Sequence, residues 1–196
     1  MRFFQLTIAL TLAIGTFQGC RTAPAEVSAQ EAFWMAIESL CGQAFAGTVV
    51  EAPVGDTTFA GVELVMHVRT CQEGELRIPF HLGEDRSRTW VVSRTDSGLR
   101  LKHDHRHADG TEDSITQYGG DAPSPGEPGR QEFRADALTA ALIPAAATNV
   151  WTIEVEPGSR FVYALRREGT DRRFRIEFDL SRPIPIPPAP WGSVDP

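Results

Sequence analysis

The chain has 196 residues, of which 41% are hydrophobic, and a formal net charge of −7. This length accommodates one globular domain and a targeting segment, and the hydrophobic fraction is sufficient for a buried core. The negative charge argues against nucleic acid as a partner and against membrane attachment through a polybasic surface. The 17 glycines and 14 prolines predict a chain with many turns.

The first twenty residues have the pattern of a secretory signal. A single positive charge at Arg2 precedes an apolar run from Phe3 to Phe17, which is too short for an ordinary membrane span. The run ends in the letters FQGC, and this ending resembles the lipobox of bacterial lipoproteins through Gly19 and Cys20. In that family the signal peptidase cuts before the cysteine, which then receives diacylglycerol.

The lipobox resemblance implies an exported protein that is attached to the membrane by a lipid on Cys20. We expect a signal peptide over residues 1–19 and a lipidated tether over residues 20–30. The expected location is the outer membrane, facing the periplasm or the cell surface, with the membrane itself as a partner. A plain signal peptide cut nearby is the alternative, and it would release a soluble protein into the periplasm or the medium.

The number of cysteines agrees with lipidation. The chain has three cysteines, and an odd number in an exported protein requires an explanation. If Cys20 carries lipid, Cys41 and Cys71 remain as a pair in an oxidising compartment, and we expect them to form a disulfide. Two buried free thiols are the alternative.

A helix of about three turns is predicted between Ser28 and Gly42. Ser28 can cap its first turn, and Glu31 stands three residues later, as in a capping box. Apolar residues then recur at helical spacing on one face, and Gly42 can end the helix. We expect this helix to cover one end of the core.

After this helix, apolar and polar residues alternate with the period of half-buried strands, and short turns separate the strands. Two antiparallel meanders are predicted, over residues 46–118 and 150–180. Between them, the Pro- and Gly-rich residues 119–130 predict a mobile loop. Residues 136–142 predict a short helix that ends before Pro144. The expected inward-facing side chains are Val62, Leu64, Met66, Val68, Leu76, Ile78, Phe80, Leu82, Trp90, Val92, Leu99, Leu101, Trp151, Ile153, Val155, Phe161, Tyr163, Leu165, Phe174, Ile176, Phe178 and Leu180.

The predicted fold class is mostly β. About nine or ten amphipathic strands in meander order favour a closed or nearly closed antiparallel barrel, because closure leaves no unpaired edge. In outline this barrel resembles the calycins, that is, the lipocalins and their relatives, although AGTVVE at residues 46–51 lacks the Gly-x-Trp signature. A β-sandwich is the alternative. The barrel domain is expected over residues 31–182, and a Pro-rich extended tail over residues 183–196.

The segment His103–His107 is the strongest local candidate for a site. His103, His105 and His107 continue the inward-facing alternation of the preceding strand. Alternate residues on a strand lie about 6.5–7 Å apart, so two neighbouring imidazoles can share a metal ion, whereas all three on a straight strand cannot. A divalent metal site would therefore combine two of these histidines with ligands such as Asp109. The ordinary alternative is a core-edge imidazole followed by histidines in water.

The barrel interior is the second candidate. His103 and His105, with Trp90, Trp151 and Tyr163, are expected to line it. We therefore expect a non-enzymatic binding role in the cell envelope, with a small apolar ligand in the barrel and no required cofactor. The alternatives are a metal-dependent hydrolase that uses the histidine segment, and a structural interaction module with a filled core.

Overall fold

The computed structural model describes residues 27–193. The predicted signal peptide and Cys20, the predicted lipidation site, lie outside the described residues. The helices are α1 (Ala29–Glu38) and α2 (Ala137–Leu142), and a single 3-10 turn follows at Pro144–Ala146. The strands are β1 (Ala44–Glu51), β2 (Leu64–His67), β3 (Thr70–Gln72), β4 (Glu75–Leu82), β5 (Asp85–Thr95), β6 (Gly98–His105), β7 (Tyr118–Asp121), β8 (Arg130–Arg134), β9 (Asn149–Glu156), β10 (Arg160–Arg167) and β11 (Arg173–Asp179).

The strands form one antiparallel sheet that is nearly closed into a barrel, which confirms the predicted fold class. Their hydrogen-bonded order is β7-β6-β5-β4-β2-β1-β11-β10-β9-β8, and the short β3 pairs with β4 beside this path. β1 joins the two meanders, because it pairs with β2 on one side and with β11 on the other. The two terminal strands of this order, β7 and β8, meet at a seam.

The seam is held by close backbone contact, since no ladder joins β7 to β8 in the described part of the chain. A Cβ atom on Gly120 would overlap the carbonyl oxygen of Arg134, so only glycine fits there. The amide of Asp136 donates to the carbonyl of Gly119 at 2.9 Å. The hydroxyl of Thr139 bonds both the amide and the carbonyl of Gly119, each at 2.7 Å. The start of α2 therefore bridges the seam.

The prediction of a mobile loop over residues 119–130 is only partly correct. β7 extends into this range as far as Asp121, and β8 begins at Arg130. Glycine has low strand propensity, so the sequence of β7, YGGD, does not indicate a strand. The close approach at the seam is the physical reason for Gly120, whereas a Cβ atom on Gly119 would overlap the carbonyl oxygen of Leu101 in β6.

Both predicted helices are present. α1 begins after Ser28, whose hydroxyl accepts a hydrogen bond from the amide of Glu31 at 3.1 Å. α2 begins after Asp136, whose carboxylate accepts from the amide of Thr139 at 2.8 Å. Neither helix, nor any other in the described residues, is long and apolar enough to cross a bilayer.

α1 packs at the end of the barrel where β5 finishes. Its residues Phe33, Trp34 and Ile37 are buried, and the guanidinium of Arg94 lies 4.4 Å from the ring centre of Trp34. The predicted disulfide Cys41–Cys71 is formed and connects the chain after α1 to β3. Because its two cysteines are 30 positions apart, the bridge stabilises the fold by about 3–4 kcal/mol in the chain-entropy model.

Apolar side chains fill the barrel. Of the predicted inward-facing set, all are buried except Phe174, which is half-buried, and Val62, which is 41% exposed because it precedes β2. Aromatic rings form the centre of the core. The ring centre of Trp90 lies 4.7 Å from that of Phe80 and 4.1 Å from that of Tyr163, and both pairs are stacked. These contacts make the interior a continuous packed core.

The Pro-rich tail runs along the outer face of the barrel. The amide of Ile184 donates to the carbonyl of Ala44 at 2.9 Å. Further on, Nη1 of Arg86 donates to the carbonyl of Ala189 at 2.9 Å, and the amide of Trp191 donates to the carbonyl of Arg86 at 3.1 Å. These bonds fix the tail at both ends of its path from β1 to β5.

Candidate functional site

The three clustered histidines have different environments. β6 carries His103 and His105 near its end; His103 is 2% exposed, and His105 is half-buried. His107 follows the strand in an exposed turn, together with Asp109. The strand therefore brings two of the three imidazoles to the interior and its rim, while the third lies in solvent.

Two hydrogen bonds hold His103 inside the barrel. Its Nδ1 lies 3.0 Å from the backbone carbonyl oxygen of Tyr118, which can only accept, so Nδ1 carries the proton. Its Nε2 therefore accepts from the hydroxyl of Tyr163, at 2.5 Å. Burial lowers the pKa of His103 to about 3, so its imidazole is neutral near pH 7.

Tyr118 links His103 to His105. Its ring stacks on that of His103, with ring centres 4.4 Å apart, and its hydroxyl lies 3.1 Å from Nε2 of His105. Burial raises the pKa of Tyr118 to about 12 and lowers the pKa of His105. Sequence reasoning did not select Tyr118, because it belongs to no apolar alternation. Its position just before two glycines was the available signal of a close backbone approach.

The aromatic residues predicted to line the interior surround His103. The ring of Trp151 lies 5.1 Å from that of His103, and the ring of Trp90 is stacked on Tyr163. Burial raises the pKa of Tyr163 well above its usual value, which keeps its hydroxyl protonated. His105 joins this cluster through Tyr118. The predicted lining residues thus contact one another, and they pack together as part of the core.

The histidine segment does not present a set of metal ligands. Among residues 27–193, no group of three or more His, Cys, Asp or Glu side chains could hold a metal ion. Both ring nitrogens of His103 form hydrogen bonds. In the exposed turn, the carboxylate of Asp109 accepts from the amide and hydroxyl of Thr111, at 3.0 and 2.7 Å. Metal binding here would require these groups to rearrange.

A different pair of histidines lies on the outer face of the barrel. In their strands, His67 and His81 alternate with inward-facing apolar residues, which places them on the outer face. They are on the outer face, but each is only 4% exposed. Nε2 of His81 has no hydrogen-bond partner among the described residues. Burial, followed by the charge of Arg86, lowers the pKa of His81 to about 4.

A cleft of about 460 Å³ opens between the tail and this outer face. Strand and turn residues form one wall, among them Glu63, His81 and Arg86, and tail residues 184–188 form the other. Sequence reasoning missed this site because Arg86 and Ala189, which connect its walls, are 103 positions apart. The available signal was the presence of two histidines on the outer face of strands that the sequence pattern predicts to be solvent-exposed on that face.

Comparison with known proteins provides no relative from which a function could be transferred. No family model, curated protein or solved structure matches the chain. Two candidate sites therefore follow from the described residues alone. One is the His103 cluster, which is packed inside the barrel, and the other is the cleft beneath the tail, which is open.

Proposed function

We propose that this protein is a non-enzymatic binding module of the cell envelope, with a filled barrel and ligand binding at its outer surface. The packing of Trp90 carries this proposal. Its ring lies between Phe80 and Tyr163, with centre-to-centre distances of 4.7 and 4.1 Å. Rings at these separations are in contact and leave no space between them for a ligand.

A small apolar ligand inside the barrel is the competing function, and it would have to displace these rings. Removing one large aromatic side chain from a core costs about 3–5 kcal/mol, so displacing a ring would carry a cost of similar order. His103 also offers no free nitrogen, because Tyr118 and Tyr163 bond both. The filled-core module is therefore better supported than the lipocalin-like binder.

Extraction of the purified full chain with organic solvent tests the state of the interior. We expect mass spectrometry to find no apolar molecule at one equivalent, apart from lipid covalently bound to the protein. Trp90→Ala serves as a positive control, because a dry engineered cavity of this kind binds benzene. A stoichiometric apolar molecule released from the wild type would contradict the filled-core proposal.

The envelope location is supported by the signal-like N-terminus and by the lipobox resemblance at Cys20. Cell fractionation with labelled palmitate tests it. The wild type should carry the label and sediment with membranes, whereas Cys20→Ser should be unlabelled and absent from the membrane pellet. If both proteins sediment equally and neither carries the label, the proposed lipid anchor is contradicted.

A further inference from the structure

The sequence of the Pro-rich tail favours a polyproline II helix. Five of the eight residues 183–190 are proline, and each proline ring fixes φ at about −65°. A residue that precedes a proline is also held in an extended conformation. These two restrictions favour the polyproline II helix, which has about three residues per turn and no internal hydrogen bonds. A segment in this conformation should bury every third residue when it lies against a surface.

The burial of the tail follows this period. Ile184 and Pro187, three positions apart, are half-buried, and Pro190 is buried. One row of side chains therefore faces the barrel, while the other two rows face solvent. The solvent-facing residues form an apolar ridge about 15 Å long, at about 3.1 Å per residue. We define this ridge as Pro183, Pro185, Ile186 and Pro188, all of which are exposed.

The ridge is held in place at both ends by hydrogen bonds to the barrel. At its start, the amide of Ile184 donates to the carbonyl of Ala44 at 2.9 Å. At its far end, Nη1 of Arg86 donates to the carbonyl of Ala189 at 2.9 Å. Between these bonds the proline rings restrict the backbone. A segment that is ordered in advance loses little conformational entropy when it is bound, so the ridge is preorganised for recognition.

The composition of the ridge determines the chemistry of its partner. Proline has no N–H, and the N–H of Ile184 is already bonded, so the ridge offers carbonyl acceptors and few donors. Aromatic side chains pack on proline rings, and Trp and Tyr also supply an N–H or O–H donor. The side chain of Arg182 is 86% exposed, and it shares a row with Pro185 and Pro188. A groove of Trp and Tyr side chains with an acidic group at one end is complementary to this surface.

A second Pro-rich segment of the chain lacks this geometry. In residues 123–128, all three prolines are exposed, and Pro125 and Pro128 are three positions apart, as Pro185 and Pro188 are. However, Gly126 lies between them with φ 67°, which is outside the polyproline II region. This segment is therefore a matched control for the ridge: it has exposed prolines at the same spacing without the continuous helix.

We propose that the ridge is a docking surface for a protein that binds polyproline II segments in an aromatic groove. The Trp and Tyr rings of the partner pack on Pro185, Ile186 and Pro188. Their N–H and O–H groups donate to carbonyl oxygens of the tail, and an acidic group of the partner pairs with Arg182. This inference rests on the proposed function, because it names a partner class for the outer surface.

Titration of the full chain with three domains that bind polyproline II segments, an SH3, a WW and an EVH1 domain, tests the proposal. Calorimetry should show that at least one of them binds with a Kd of about 1 mM or lower. Pro185→Ser with Pro188→Ser should weaken this binding at least about tenfold, because it removes two rings and restores backbone freedom. The matched control, Pro125→Ser with Pro128→Ser, should leave the Kd unchanged.

Two single variants keep the test decisive if the double proline variant does not fold. Ile186→Asp changes one side chain that is 63% exposed, and it should weaken binding at least about tenfold. Arg86→Ala removes the bond to Ala189 and leaves the ridge sequence intact. Binding should weaken here too, because the tail is less ordered in advance. Stronger binding to Arg86→Ala would show that the domain captures a detached tail, which would overturn the proposal.

Three other outcomes contradict docking at the ridge. The proposal is overturned if none of the three domains binds the full chain. It is also overturned if binding survives the substitutions in the ridge unchanged, or if the matched control weakens binding as much as they do. An apolar molecule in the barrel would contradict only the proposed function, because the ridge lies on the outer face.

Discussion

The seam of the barrel gives the sharpest test of the architecture, through the substitution Gly120→Ala. An added Cβ would overlap the carbonyl oxygen of Arg134 and would lie 2.8 Å from its carbonyl carbon and 3.0 Å from the amide nitrogen of Asp136. Ordinary contacts between such atoms are about 3.5 Å or longer. Because all three neighbouring atoms belong to backbone, the strain cannot be relieved by turning a side chain, and β7 and β8 must move apart.

The expected loss in the free energy of unfolding follows from the hydrogen bonds that cross the seam. Separation of the strands would break the bond from Asp136 to Gly119 and both bonds between Thr139 and Gly119. At about 1 kcal/mol each, these three bonds account for a loss of about 3 kcal/mol. For a domain of this size, 1 kcal/mol corresponds to about 2–4 °C in Tm, so we expect Tm to fall by about 6–12 °C.

Thermal unfolding followed by circular dichroism measures this loss. Gly158→Ala is the matched control: Gly158 has φ 71°, but no atom lies within 4 Å of an added Cβ. Its cost should be limited to backbone strain of about 1–2 kcal/mol. Gly120→Ala should also self-associate on gel filtration, because an opened seam exposes two strand edges. A Gly120→Ala protein with a Tm within 2 °C of the wild type would refute this account of the seam.

Three further predictions concern the disulfide, the buried imidazole and the aromatic core. Cys41→Ser with Cys71→Ser should lower the free energy of unfolding by about 3–4 kcal/mol in urea titrations, and an unchanged midpoint would contradict this. Because the pKa of His103 is about 3 in the fold and about 6.5 when unfolded, the unfolded chain binds the proton first as pH falls. Stability should therefore decrease between about pH 6.5 and 3, with a slope of up to about 1.4 kcal/mol per pH unit, and His103→Gln should reduce the slope measured by urea unfolding at several pH values. Trp90→Ala should cost about 3–5 kcal/mol in the same assay, and a loss below 1 kcal/mol would mean that the rings are loosely packed.

The inner face of the barrel could be predicted from sequence because strand periodicity is local. In segments such as Leu76–Leu82, each apolar residue reports directly on its own burial. Val62 shows the limit of this method, since it continues the alternation of β2 but precedes the strand and remains exposed. Alternation identifies a face, whereas the ends of a strand depend on its neighbours.

The seam and the cleft could not be predicted, because both depend on contacts between distant segments. Gly119 and Gly120 carry no side chain that could report burial, so β7 was interpreted as part of a loop. His81 has the sequence pattern of a solvent-exposed strand residue, yet it is 4% exposed and lies at the cleft that the returning tail forms. Such contacts are set by the closure of the barrel and not by local preference.

The position of β1 has a consequence for how the chain folds. β1 follows α1 near the start of the described chain, yet one of its two partners is β11, the last strand, through pairs such as Gly47 with Phe178. Pairing of such distant segments is slow, because loop-closure entropy must be overcome first. While the chain emerges from its N-terminus, β1 and β2 can pair, and the disulfide can form, before β11 exists. During that interval β1 has an unpaired edge. This edge can pair with a strand of a second, incompletely folded chain, which leads to aggregation. The tail follows β11 in the chain and bonds Ala44 of β1, so both the last strand and the outer cleft depend on the segment that is synthesised last.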